Sequence, residues 1–179
     1  MLVLSKMILN RPVMSLRTGR QVATAFGAII NPNNLKVEGF YCEDSINKKQ
    51  QLVLVTQDVR DVLPAGLVVD DHDVLVEPSD LIRLKKTMDL QFEIIGKAVV
   101  TAGKKRLGKV ADFAVEPTSM FIKKIYVSQS LLKNFTGGTL SVDRTQIVEI
   151  TTKKIIIKDP LQMQKTTVTV PSLSPIPAN

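Results

Sequence analysis

The sequence predicts an all-β protein made of two tandem small barrels joined by a short helix. Apolar residues make up 44% of the 179 residues, yet only 4% are aromatic and none is Trp, so the core must consist mainly of Ile, Val and Leu. β-Branched residues of this kind favour strands. Short alternating runs end at Gly, Pro or Asn, which is typical of strands closed by turns. The apolar pattern of the first half also recurs in the second, which indicates an internal duplication.

The first half is predicted to contain strands separated by polar turns. Residues 17–20, with Gly19, form the first turn, and the run Asn-Pro-Asn-Asn at residues 31–34 contains the residue types that close hairpins. Residues 57–61 are expected to form a further short turn. The predicted strands cover residues 12–16, 21–30, 35–42, 51–56 and 67–69.

The second half shows the same order of elements. A short strand over residues 98–101 precedes a charged turn, in which Gly103 can adopt a positive φ. A long alternating strand then begins at residue 107. Gly96 and Gly108 lack a side chain where strands must bend or approach closely, so this strand is expected to curl through a small barrel.

Apolar positions in the two halves correspond at a constant spacing of 85 residues, which later becomes 88. Examples are Val22 with Leu107 and Val37 with Ile122 at the first spacing, and Leu54 with Val142 at the second. The change in spacing corresponds to three extra residues in the loop over residues 129–138. A register shared over about 60 positions indicates two copies of one unit rather than a solenoid, which needs at least about three repeats.

A short amphipathic helix is predicted between the two copies. Ser79 is a suitable N-cap, and three apolar side chains recur on one face of the helix. We expect this apolar stripe to seal the junction between the copies. The stripe consists of Leu81, Leu84 and Met88.

Four segments follow from this organisation. Residues 1–76 form the first barrel, residues 77–91 the helical linker and residues 92–160 the second barrel. Residues 161–179 lose the core pattern and contain three prolines, so they are predicted to form a flexible C-terminal tail.

Several segments of the second half resemble the PRC-barrel family. They are the strand IIGKAVV, the hairpin GKKRLGKVADF, the break VEP, the strand IKKIYV and the closing segments DRTQIVEIT and IIIKD. That family includes the H subunit of the photosynthetic reaction centre and the carboxy-terminal domain of a bacterial ribosome-maturation factor. The resemblance covers residues 92–159 well and residues 7–73 more weakly, where Ala23 replaces the glycine found at Gly108. It implies two SH3-like barrels, a fold that serves many functions.

Catalytic chemistry has little support in the sequence. The only histidine, His72, lies in the run Asp-Asp-His-Asp of residues 70–73, which is interpreted as a solvated acidic turn rather than a metal site. Cys42 is the only cysteine, which excludes an intrachain disulfide, and it is interpreted as a small core residue. No glycine-rich phosphate loop is present. The sequence therefore predicts no enzyme activity, no metal and no cofactor.

The excess of positive charge lies entirely in the second half. Residues 1–90 contain 11 basic and 11 acidic residues, whereas residues 91–179 contain 13 basic and 6 acidic residues. An excess of one sign predicts a polyanionic partner, either nucleic acid or an anionic membrane surface. The alternative is that charged turns are simply solvated. The candidate binding residues are Lys104, Lys105, Arg106, Lys109, Lys123 and Lys124, with Lys153 and Lys154 at another turn.

Together these features predict a non-enzymatic, two-barrel interaction protein. Because residues 1–12 contain too short an apolar run for a secretory or membrane segment, we expect a cytoplasmic protein. The leading hypothesis is a role in RNA or ribosome metabolism, with contacts to backbone phosphates. The competing hypothesis is a scaffold that binds a protein or a membrane-associated complex. The partner and the oligomeric state are not specified by the sequence.

Overall fold

The computed structural model describes residues 1–129 and 138–159, and this part of the chain is mostly β structure with one α-helix. The all-β class expected from the sequence is thereby confirmed. The helix, α1, spans Ile82–Asp89. The strands are β1 (Val3–Leu4), β2 (Arg11–Ser15), β3 (Gln21–Asn31), β4 (Lys36–Asp44), β5 (Gln51–Val55), β6 (Val59–Leu63), β7 (Gly66–Val69), β8 (Leu75–Val76), β9 (Ala98–Thr101), β10 (Arg106–Glu116), β11 (Phe121–Gln129), β12 (Thr139–Asp143), β13 (Ile147–Ile150) and β14 (Lys154–Ile157).

Strand pairing follows the same order in both halves of a curled mixed sheet. The first half contains antiparallel pairs between strands that follow one another in the chain, namely β2–β3, β3–β4 and β4–β5. Strand β7 lies parallel to β2 and antiparallel to β6. In the second half β9, β10, β11 and β12 pair in the same way, with β14 parallel to β9 and antiparallel to β13.

Strand boundaries also recur at the predicted spacings. β3 begins at Gln21 and β10 at Arg106, which are 85 positions apart, and β7 begins at Gly66 and β14 at Lys154, which are 88 apart. The spacing predicted from the apolar pattern is therefore confirmed.

A symmetric pair of hydrogen bonds joins the two halves. Val37 N–H donates to Met120 O, and Ile122 N–H donates to Leu35 O, both at 2.8 Å. Because these residues correspond at the 85-residue spacing, the two bonds are related by a pseudo-two-fold axis. Leu35 and Met120 both have a positive φ, of 54° and 57°, just before β4 and β11. The residue before each of these two strands thus has the same left-handed conformation in both halves, and β4 and β11 meet at this point.

The N-terminal segment packs on the second half of the chain. β1 pairs with β10, and Ser5 donates to Asp112 Oδ1 through both its backbone N–H, at 3.2 Å, and its hydroxyl, at 2.5 Å. Ser5 is buried, and Ile8, which follows it, is 2% exposed in the core. The start of the chain therefore packs against β10, which belongs to the second half.

The apolar stripe of α1 packs on the first half, which corrects the prediction that it seals the junction. Leu84 is buried against Ile29 of β3 and Val53 of β5, with Leu81 and Met88 beside it. The helix begins after Leu81, whose side chain makes no capping bond, while Ser79 lies in the preceding 3₁₀ turn Pro78–Asp80. The prediction of Ser79 as the N-cap was therefore wrong.

One main hydrophobic core includes buried side chains from both halves. Its largest members include Phe40 in β4 and Phe113 in β10, which are 0% and 1% exposed. Cys42 is fully buried in the same cluster, as predicted. None of the described helices is long and apolar enough to cross a membrane.

Strand β6 and Gly108 bear on two further predictions from the sequence. Residues 59–61, expected to form a turn, begin strand β6 after a short 3₁₀ segment. Gly108 has a φ of 153° beside a shift in the β9–β10 register, which confirms its expected role where the strand bends. The predicted tail at residues 161–179 lies outside the described residues.

Candidate polyanion-binding surface

Four of the six predicted binding residues lie together at the β9–β10 hairpin. The side chains of Lys104, Lys105, Arg106 and Lys109 are all exposed. Within residues 1–129 and 138–159, none of them forms a salt bridge with a carboxylate. Their positive charges are therefore available to a ligand.

Sheet pairing adds Lys154 to this group. Lys154 in β14 and Lys109 in β10 both lie opposite Ala98 in β9, so the two lysines flank it on the same face of the sheet. Since neighbouring strands are about 4.8 Å apart, their Cβ atoms are about 10 Å apart. Arg106 lies opposite Val100, two residues further along β9. We call this set the basic face: Lys104, Lys105, Arg106, Lys109 and Lys154.

Lys104 has an unusual backbone conformation for a lysine. Its φ is 66°, in the left-handed region that favours glycine. Gly19, which lies 85 residues earlier at the equivalent position of the β2–β3 hairpin, has the same φ of 66°. The positive φ expected at Gly103 is therefore found at Lys104.

The two hairpins are closed by similar backbone bonds but differ in length by one residue. Thr101 N–H donates to Lys105 O at 2.8 Å, and Ser15 N–H donates to Arg20 O at 2.9 Å. The turn of the second half is thus one residue shorter, and it has a lysine where the first half has a glycine before the closing residue.

Lys123 and Lys124, the other two predicted residues, lie beside carboxylates. Lys123 Nζ is 3.2 Å from Glu116 Oε2, and Lys124 lies opposite Asp143 in the β11–β12 pair. The Ser119 hydroxyl and then Lys123 hold the pKa of Glu116 below its usual value. Lys124 lies four residues from Ser128, the partner of Lys109 in β11, so it is about 13 Å away along the strand. The structure therefore places these lysines apart from the basic face.

The equivalent surface of the first half lacks this concentration of charge. At the 85-residue spacing Arg106 corresponds to Gln21 and Lys109 to Thr24, and at the 88-residue spacing Lys154 corresponds to Gly66. Only the residue equivalent to Lys105, Arg20, is basic. The repeat thus provides an internal comparison in which the same fold carries a nearly neutral surface.

The acidic run at residues 70–73 is more structured than a solvated turn. Asp71 is buried, accepts a hydrogen bond from the Ser15 hydroxyl at 3.0 Å and pairs with Arg17. His72 Nε2 lies 3.2 Å from Asp44 Oδ1. These carboxylates connect the β2–β3 hairpin and β4 to the segment that follows β7, so their interactions are structural. The interpretation as a solvated turn was wrong for Asp71.

The remaining candidate groups are the Cys42 thiol and the side chains that could bind a metal. Burial raises the pKa of the Cys42 thiol to about 12, which keeps it protonated at neutral pH. Among residues 1–129 and 138–159, no group of three or more His, Cys, Asp or Glu side chains is placed to hold a metal ion.

The sequence alone places Lys154 only in a separate turn, together with Lys153. It joins the basic face because β14 pairs in parallel with β9, a contact between segments more than 50 residues apart. The 88-residue spacing between β7 and β14 is the sequence signal that could have predicted this contact. It indicates that β14 pairs in the second half as β7 pairs in the first. Comparison with family models and with curated protein sequences gives no match to this chain.

Proposed function

We propose that the protein is a non-enzymatic interaction protein of two tandem SH3-like barrels of the PRC-barrel type, and that its basic face binds the phosphate backbone of RNA in the cytoplasm. The repeated pairing order and the second-half motifs support the barrel assignment. The exposed positive charge of the basic face, none of which lies in a salt bridge among residues 1–129 and 138–159, supports a polyanionic ligand.

The observation that carries the proposal is the lysine at φ 66° in the β9–β10 turn. A residue with a Cβ atom in this conformation costs about 1–2 kcal/mol relative to the right-handed region, whereas glycine has no such cost. Strain of this kind concentrates at functional sites. At Lys104, backbone strain thus coincides with an exposed positive charge that lies near the four other cations of the face.

Contacts to phosphate explain the composition of the face better than contacts to bases. None of its five residues is aromatic, so it offers no ring on which a base could stack. Lysines separated by about 10 Å on a sheet surface are suited to a flexible, repeating polyanion. We expect weak sequence specificity and strong dependence on salt.

The test compares Lys104→Gly with the parent protein. The glycine should stabilise the fold by on the order of 0.5–1 kcal/mol. It removes the backbone strain, and the greater flexibility of glycine in the unfolded chain offsets only part of that gain. RNA binding should become weaker, because one cation is lost. Fluorescence anisotropy with two unrelated single-stranded RNAs measures binding, and urea denaturation measures stability. Opposite changes exclude unfolding as the reason for weaker binding.

Matched variants test whether the face itself is responsible. Lys109→Thr with Lys154→Thr should lower the slope of log affinity against log salt by about 1.4, since each contact to single-stranded RNA contributes about 0.7. Lys48→Thr with Lys49→Thr removes the same charge from an exposed loop of the first half and should leave the slope unchanged. Equal effects of the two pairs, equally strong binding to anionic vesicles, or no RNA binding by the parent protein near physiological salt would overturn the proposal.

A further inference from the structure

A large groove lies between the two halves, away from the basic face. Its volume is about 1110 Å³. β3 and β4 line one wall, the end of α1 lines another, and the segment leading to β9 completes it. The groove contains several apolar side chains that are partly exposed, including Phe26 and Ile95, which are each 45% exposed. Such a concentration of exposed apolar surface is typical of an interaction site.

The floor of the groove carries an aromatic pair. The rings of Phe26 in β3 and Tyr41 in β4 stack with centroids 6.2 Å apart and planes inclined by 21°. Met88 from α1 and Phe92 from the following segment add apolar surface. Aromatic and methionine side chains are adaptable apolar contacts for an incoming side chain.

The wall formed by α1 is held in place by hydrogen bonds outside the groove floor. The Thr87 hydroxyl donates to Glu38 Oε2 at 2.8 Å, and the Asn31 amide donates to Glu38 Oε1 at 3.0 Å. Glu38 thus connects the end of α1 to β3 and β4. These bonds fix the position of the helix wall relative to the two strands of the groove.

The charged residues that line the groove are both acidic. Asp89 and Glu93 are exposed at its edge, and no lysine or arginine belongs to its lining among the described residues. Burial and the nearby charge of Asp89 raise the pKa of Tyr41, so its hydroxyl remains a neutral hydrogen-bond donor. The lining itself is therefore acidic, while Lys97 Nζ lies 4.6 Å from the ring centroid of Phe92.

We infer that this groove binds a peptide segment of a partner protein in which an apolar side chain lies next to Arg or Lys. The apolar side chain packs on Phe26, Tyr41 and Met88, while the cation lies beside Asp89 and Glu93. The volume exceeds the upper end of the range of about 300–1,000 Å³ that is usual for small-ligand pockets, and the groove is open on one side. Both features favour a chain segment over a small molecule.

The test uses three labelled peptides of equal length and the full-length protein. One peptide alternates Leu with Arg, the second alternates Ser with Arg, and the third alternates Leu with Glu. The Leu-Arg peptide should bind saturably at one site with a Kd below about 0.1 mM, and the other two should bind at least about tenfold more weakly. Isothermal titration calorimetry measures stoichiometry and affinity.

Charge-reversal variants locate the site. Asp89→Lys should weaken binding of the Leu-Arg peptide by at least about tenfold. Asp80→Lys, the same change at an exposed position before α1 that does not line the groove, should leave it within about twofold. RNA binding by the basic face should be unchanged in Asp89→Lys, so failure of this inference is distinguishable from failure of the proposed function.

Several outcomes would overturn the inference. Equal binding of the Ser-Arg and Leu-Arg peptides would indicate charge attraction without the apolar floor. Equal effects of Asp80→Lys and Asp89→Lys would place the peptide elsewhere, and no saturable binding of the Leu-Arg peptide would exclude the site. A self-association of the protein that is lost in Asp89→Lys would assign the groove to a second copy of this chain.

Discussion

Asp71 shows how a single buried carboxylate joins distant segments of the chain. It accepts hydrogen bonds from the His72 backbone N–H and the Ser15 hydroxyl and pairs with Arg17. The backbone N–H of His72 makes the largest contribution to lowering the pKa of Asp71 below its usual value. Because the folded state favours the ionised form, this group stabilises the fold above the unfolded pKa, and the stabilisation is lost as pH falls through the folded pKa.

Asp71→Asn should therefore be less stable than the parent protein at pH 7, and the difference should shrink as pH falls below about 4. Urea denaturation at several pH values measures this. Asp73→Asn, at the exposed end of the same run, serves as the control and should change stability little at either pH. A difference for Asp71→Asn that stays constant from pH 7 to acid would contradict the ionic origin of the effect.

At the scale of elements, α1 is held by one face. Leu84 is 8% exposed and packs on Ile29 and Val53, whereas Ile82, two residues earlier, is 83% exposed. An eight-residue helix is too short to be stable in isolation, so this packing must provide most of its stability.

Leu84→Asp should destabilise the protein by about 2–4 kcal/mol, because it places an unpaired charge in a buried apolar site. Ile82→Asp makes the same chemical change on the exposed face and should stay within about 0.5 kcal/mol of the parent. Thermal and urea denaturation measure both variants. If the two variants melt alike, the stripe does not hold the helix on the sheet.

At the scale of the whole molecule, the two halves share one hydrophobic core. The main cluster contains Phe40 from the first half and Phe113 from the second. The symmetric bonds of Val37 and Ile122, together with the pairing of β1 on β10, cross between the halves. Neither half can unfold without exposing apolar surface of the other.

We therefore expect the protein to unfold in a single cooperative transition. Differential scanning calorimetry should give one peak whose calorimetric enthalpy equals its van't Hoff enthalpy. Ser5→Ala, which removes the hydroxyl bond to Asp112, should lower the melting temperature of that single peak rather than split it. Two resolved peaks would show that the halves are independent.

Local sequence patterns are enough to predict the strand class, the spacing of the repeat and the position of the basic hairpin. These features depend on local patterns, since alternation shows which residues face inward and turn residues show where strands end. Lys104, Lys105 and Arg106 are adjacent in the chain, so any hairpin at this point presents them together. The helix between the copies was predicted for the same reason, from the spacing of Leu81, Leu84 and Met88.

Which distant segments meet depends on how the complete sheet folds. Lys154 reaches Lys109 only because β14 pairs in parallel with β9, and the groove forms only because Phe26 and Phe92 come from segments that fold against each other. The apolar stripe of α1 likewise packs on β3 and β5 and not at the junction between the halves. Local periodicity specifies that a face is apolar but not which apolar surface covers it, because that choice depends on the curl and pairing of the complete sheet.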